Sequence, residues 1–219
     1  MKRIRNLTVG GLITTMVLMI AFTSGAFGAA NPSVLSPAAR VQGLTLGQWH
    51  AEMWRVSLAI PASQDLGPYC YLGQIGNVGI GVSYSEIGSS ECEMPVGMIL
   101  YVLVIGSECS TGEPPPFYGG NEAELKACAT SFISSNLQAS VDGIPVQNIE
   151  KYAALSPLYQ FTLPADNIVG IPAGTYDSVA YNTGFLLAPL SPGEHVVHVH
   201  SELPSYEWVY DWTYYITVK

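Results

Sequence analysis

Between Trp208 and Val218 every even-numbered residue is apolar (Trp208, Tyr210, Trp212, Tyr214, Ile216, Val218), while the odd positions include Asp211, Thr213 and Thr217. A period of two fits a half-buried β-strand, because successive strand side chains point to opposite faces, whereas a helix repeats about every 3.6 residues. Residues 98–105 (MILYVLVI) are continuously apolar instead, the pattern of a strand covered on both faces. Residues 137–141 and 144–146 flank Asp142-Gly143, a tight-hairpin signal. Further strands are predicted at 77–84, 158–163, 178–187 and 195–200. Many short strands separated by Gly and Pro turns, without alternating helices, predict a mainly β chain: an antiparallel β-sandwich or jelly roll with two short helices packed on it.

The first helix is predicted at 45–60. Thr45 can cap it, Gln48 completes a capping box, Leu44 and Trp49 form a hydrophobic staple, and Pro61 stops it. Leu46, Trp49, Met53, Val56 and Ile60 form one stripe, and His50, Trp54 and Leu58 a second. The second helix is predicted at 122–134, capped by Asn121, with Leu125, Cys128, Ala129 and Phe132 facing inward. Before it, the loop 109–120 carries Pro114, Pro115 and Pro116 and is expected to be stiff and exposed.

Met1–Ala30 has the layout of an export signal: Lys2, Arg3 and Arg5, then an apolar run over 7–22, then small residues at Ala26, Gly28, Ala29 and Ala30. Its removal would leave Asn31–Lys219 as a single domain, secreted or periplasmic, with no cysteine at the new N-terminus for a lipid anchor and no membrane insertion. Five basic side chains then face 17 acidic ones. That balance excludes nucleic acid and anionic membrane surfaces as partners, since both are bound chiefly through Lys and Arg.

Cys70, Cys92, Cys109 and Cys128 all follow the signal, and an oxidising compartment makes bridges the default. Three pairings are open. Cys70–Cys92 with Cys109–Cys128 is favoured because both loops are short and do not cross. Spacings of 22, 17 and 19 residues contain no C-x-x-C pair, which argues against a four-cysteine zinc site.

Several segments resemble a set of exported bacterial β-rich proteins with no assigned activity. The likeness rests on Trp49 and Trp54, on Cys92-Glu-Met-Pro-Val-Gly97, on Ser107-Glu108-Cys109 and on Glu124-Leu-Lys-Ala-Cys-Ala129. It continues through Val141-Asp-Gly143, Ser156-Pro-Leu-Tyr-Gln-Phe161, Leu163-Pro-Ala-Asp-Asn167 and Leu190-Ser-Pro-Gly-Glu-His195 with His198. The resemblance implies one domain with paired cysteines and supplies no site residues. The chain departs from that pattern at residues 77–82, where a bulkier aromatic strand is typical.

Four constellations can carry chemistry. Trp208 and Trp212, with Tyr210 and Tyr214, share a face that is either core or a platform for sugar rings; His50 beside Trp54 belongs either to a cleft or, as the plainer reading, to the helix–sheet boundary as a satisfied histidine. Glu86, Glu91, Glu93, Glu108 and Glu113 gather around the cysteines, as a solvated rim or as paired carboxylates for glycosidic cleavage or calcium. On the strand through His195, His198 and His200 share a face with Glu202; such a pair plus a carboxylate can ligate a divalent metal, and the H-x-H element partly resembles that of cupins. The plainer expectation is no cofactor. No G-x-S-x-G elbow or phosphate loop is present. The sequence leaves open whether the chain is an enzyme. It favours an exported protein that binds a glycan or an envelope protein, with a hydrolase or lyase acting on an extracellular polymer through carboxylates and a histidine as the alternative.

Overall fold

The computed structural model describes residues 33–64, 70–81 and 87–219; the segment predicted as an export signal, Met1–Ala30, and Glu86 lie outside the described residues. The first helix, α1, spans Leu46–Leu58 and begins with the expected capping box. Gln48 N–H donates to Thr45 Oγ1 (3.4 Å) and Thr45 N–H to Gln48 Oε1 (2.9 Å). Leu44 and Trp49 pack in one cluster, as a staple requires.

The strands follow as β1 (Gln74–Ile75), β2 (Val78–Gly81), β3 (Ile87–Met94) and β4 (Ile99–Ser110). After α2 (Glu122–Ala129) come β5 (Ser135–Val141), β6 (Ile144–Pro145), β7 (Ala153–Leu155) and β8 (Tyr159–Leu163). The long strands β9 (Gly174–Leu187), β10 (Gly193–Leu203) and β11 (Trp208–Val218) complete the chain. One sheet is ordered β1-β2-β4-β9-β7, with β8 also on β9; the other is ordered β3-β11-β10-β5-β6. Together they form a β-sandwich within the compact unit Asn31–Lys219.

Both sheets are mixed: β2 pairs with β4, and β3 with β11, in parallel. The chain leaves the first sheet after β2, runs through β3 in the second, and returns as β4, so β2 and β4 point the same way. Side-chain periodicity reports which face is buried and not the direction of the neighbour, which is why the sequence suggested purely antiparallel sheets.

The run over 98–105 behaves as its pattern requires. Leu100, Val102 and Val104 face the second sheet and meet Val197, Val199, Tyr214 and Ile216, while Tyr101 points the other way to Trp49 and Met53 of α1. Each aliphatic side chain buried in this way contributes about 1.5–3 kcal/mol. α1 therefore sits on the outer face of the first sheet. The Asp142-Gly143 hairpin is also present, with both residues left-handed (φ 51° and 75°) as a type I′ turn needs.

α2 ends earlier than its pattern suggested. Thr130 Oγ1 bonds back to the Lys126 carbonyl (2.8 Å) and Ser131 Oγ to the Cys128 carbonyl (2.7 Å), so side-chain hydroxyls take over the last turn. Phe132 stays buried beyond the helix end, whereas Cys128 is only half-buried. Both disulfides form in the favoured pairing. Cys70–Cys92 joins the segment before β1 to β3 of the opposite sheet, and Cys109–Cys128 ties β4 to α2. Two bridges fit an oxidising compartment. Among the described residues no helix is long and apolar enough to cross a membrane.

Candidate functional site

The apolar face of β11 does not keep one depth. Val218, Ile216 and Tyr214 lie in the main core, Trp212 and Tyr210 are half-buried, and Trp208 is 45% exposed. At its first residues this face is no longer closed over. There Trp208 and Tyr210 meet Met53 and Trp54 of α1 across Ile105 and Leu203, around an open cleft of about 240 Å³. The pairing of β4 with β9 shifts register between Leu103 and Ile105, in the cleft wall.

Trp54 and Trp208 are thus brought together at this cleft, but Trp212 and His50 are not. Trp212 packs against the main core and lies over Gly88, its paired residue on β3; its indole N–H donates to Ser90 Oγ (3.4 Å). His50 is fully buried beneath α1. Its Nδ1 is 2.7 Å from the Tyr101 hydroxyl, and its Nε2 is buried without a hydrogen-bond partner. Burial pushes its pKa down to about 3, so the ring is neutral in ordinary conditions. A neutral histidine without solvent access cannot serve as general acid or base for an external substrate.

The polar partners of His50 lead back to the cleft. Tyr101 O–H lies 3.5 Å from Asn182 Nδ2, and Asn182 Oδ1 accepts the Trp54 indole N–H at 3.2 Å. Tyr101, Asn182 and His50 have no exposed surface. Asn182 carried a weak signal in the sequence: it is an amide inside the apolar strand pattern at 178–187, and a buried amide needs partners for both ends.

His198, His200 and Glu202 share the outer face of the second sheet. Asp211 on the paired strand takes His198 Nε2 at 3.1 Å and His200 Nδ1 at 2.8 Å, while Asn136 Nδ2 lies 3.1 Å from His200 Nε2 and donates to Glu202 Oε1 at 2.8 Å. Burial alone would raise the Asp211 carboxyl, but the hydrogen bonds from His200 and His198 outweigh it and hold the carboxyl below its usual range. The trio suggested by the H-x-H spacing is therefore knit into a hydrogen-bonded cluster. Among the described residues no group of three or more His, Cys, Asp or Glu side chains has metal-holding geometry. Spacing along one strand places two rings on one face but says nothing of Asp211, which arrives from the neighbouring strand.

The acidic residues divide in two. Glu91 and Glu93, joined by Glu194, border a shallow depression on the outer face of the second sheet. Glu108 departs from the solvated-rim expectation: it is 7% exposed and accepts a short hydrogen bond from Ser178 Oγ. Burial, reinforced by the neighbouring Glu113 carboxyl, raises its pKa well above the usual carboxylate range. Glu113 is held in turn by Ser110 Oγ at 2.8 Å. Neither glutamate lines the cleft.

No protein-family model matches the chain, and no curated protein matches it. Among solved structures, that of PbICP-C in complex with falcipain-2 matches 66% of this chain and 100% of that chain, at 12% identity and a TM-score of 0.26. A likeness at that level carries no argument about function.

Proposed function

We propose that this chain is an exported binding protein that receives an apolar group of an extracellular partner in the cleft between α1 and the start of β11. One observation carries the reading. Trp54 and Trp208, far apart in sequence, converge on one open cleft, and Trp208 remains 45% exposed there. An exposed apolar side chain by itself is ordinary, but one continuous with a concave apolar wall marks an interaction surface.

The walls favour a hydrocarbon anchor from an envelope protein over a sugar. They are built mainly of Met, Leu, Ile, Trp and Tyr carbon, and the indole N–H of Trp54 is already used inside the protein. Sugar hydroxyls placed there would lose water without gaining partners.

The hydrolase or lyase reading needs carboxylates and a histidine in a cavity that admits the polymer; Glu108 and Glu113 adjoin each other but do not line the cleft, and His50 is buried. Capture experiments on the envelope fraction of the producing cell, run beside a glycan array, test the proposal. Retention by the wild type and loss in both Trp54→Ala and Trp208→Ala is expected in the first. Capture indifferent to both substitutions, together with a blank glycan array, would overturn the reading.

A further inference from the structure

We propose that Asn182 is the positioning residue of the cleft, fixing the Trp54 ring through a buried hydrogen-bond chain that ends at His50; this rests on the cleft being the binding site. An indole nitrogen can only donate. Asn182 must therefore present Oδ1 to Trp54, and its Nδ2 faces Tyr101. With the Tyr101 oxygen accepting from Asn182, its hydrogen is left for Nδ1 of neutral His50. The remaining imidazole proton then sits on Nε2, where the chain ends without a further hydrogen bond. Every donor in the chain points the same way.

Such a chain has one orientation. Turning the Trp54 ring would break its bond to Asn182 and leave a buried amide oxygen without a partner, and water cannot reach it as a substitute. The neighbouring strand is shaped for this contact. A Cβ on Gly106 would lie 2.4 Å from Asn182 Oδ1, so a larger residue at that point of β4 would push the amide out of its present position. Gly106 and Trp54 also line the cleft, so the support and the surface it supports are contiguous. With its N–H turned inward, Trp54 offers a ligand only ring carbon, and recognition there depends on the placement of that ring.

The test uses the indole N–H signals in ¹H–¹⁵N spectra, with the Trp54 signal identified by its loss in Trp54→Phe, and 8-anilinonaphthalene-1-sulfonate as an aromatic probe of the cleft. In Asn182→Leu, exchange of the Trp54 N–H with solvent should accelerate about tenfold or more. Probe affinity should fall about three- to tenfold. The Trp49 N–H, which donates to the Val41 carbonyl, should keep its protection and so report an intact fold. Gly106→Ala, which displaces the amide instead of removing it, should change Trp54 in the same direction. Tyr101→Phe provides a third variant should the first two fold poorly. Unchanged Trp54 protection and probe affinity in folded Asn182→Leu would overturn the inference. Probe binding to the wild type that ignores Trp208→Ala would instead remove the cleft reading, while the exchange measurement still decides the role of Asn182.

Discussion

Asp142, in the left-handed first position of the β5–β6 turn, holds both the ring and the neighbouring backbone of β10: its Oδ2 lies 2.8 Å from His195 Nδ1, and its Oδ1 accepts the Val196 N–H at 2.9 Å. The other ring nitrogen of His195 lies 2.9 Å from the Ser191 carbonyl. A carboxylate and a carbonyl can only accept, so the two bonds together call for a ring carrying two protons. Burial works against that charge, but the bonds to Asp142 and Ser191 and the attraction of Asp142 outweigh it and raise the His195 pKa. A group with a raised folded-state pKa stabilises fully below its unfolded value, about 6.5 for histidine, and loses that contribution as pH rises through the folded value. Stability should therefore decline through this ring as pH rises from about 6.5 through the raised folded value. An NMR titration should place His195 above the ordinary histidine range in the wild type and back toward it in Asp142→Asn. Asp142→Ala, which removes both bonds and a residue tolerant of the turn, should cost about 1–3 kcal/mol in urea unfolding. A His195 titration unmoved by either substitution would refute the pairing.

Glu108 predicts a dependence of the opposite chemical origin. Burial and the Glu113 carboxyl raise its pKa in the fold well above the value near 4.5 at which an unfolded glutamate ionises. Between those two values the native state binds the extra proton, so stability falls as pH rises through the interval. The groups facing it include Glu113 from the loop after β4, Ser178 from β9 and Tyr159 from β8, with Arg55 of α1 near Tyr159. Glu108→Gln mimics the protonated form. It should raise the thermal midpoint by a few degrees at pH 8 and lose most of that advantage near pH 4. Equal midpoints at both pH values would show that Glu108 ionises normally.

The histidine pair on the outer face of the second sheet should bind metal poorly. A cation would have to displace Asp211 from His198 and His200, and Asn136 from His200 Nε2. Because the Asp211 carboxyl is held low, this cluster stabilises above the unfolded aspartate value of about 3.9 and loosens as pH falls below it. The thermal midpoint of protein prepared without a histidine tag should ignore added Zn²⁺. Near-stoichiometric metal by mass spectrometry, lost in His198→Ala with His200→Ala, would reverse this expectation.

What the sequence made legible was local. The Thr45 cap, the Asp142-Gly143 turn, the doubly covered run at 98–105 and the non-crossing disulfides each follow from residues near one another in the chain. Asp211 between two histidines, Asn182 beneath Trp54 and Glu108 against Glu113 depend on which strands become neighbours and on the direction in which they run. Periodicity gave the face of each side chain on β11 but not the point at which that face leaves the core. Trp208 and Trp212 consequently looked alike in the sequence, although one opens into the cleft and the other lies against Gly88.

That difference yields a last prediction. Trp212 is packed against the main core, over Gly88, with its N–H toward Ser90, so Trp212→Ala should leave a cavity and cost about 2–4 kcal/mol. Trp208 has almost half its surface in water and should cost less than about 1 kcal/mol on the same substitution. Binding should divide the other way, with Trp208→Ala losing probe affinity and envelope capture while Trp212→Ala, where it remains folded, keeps both. Urea unfolding measured beside probe titration separates the two roles. A Trp208→Ala protein as destabilised as Trp212→Ala would mean that Trp208 is part of the core, and the cleft would then lose the exposed ring on which the binding proposal stands.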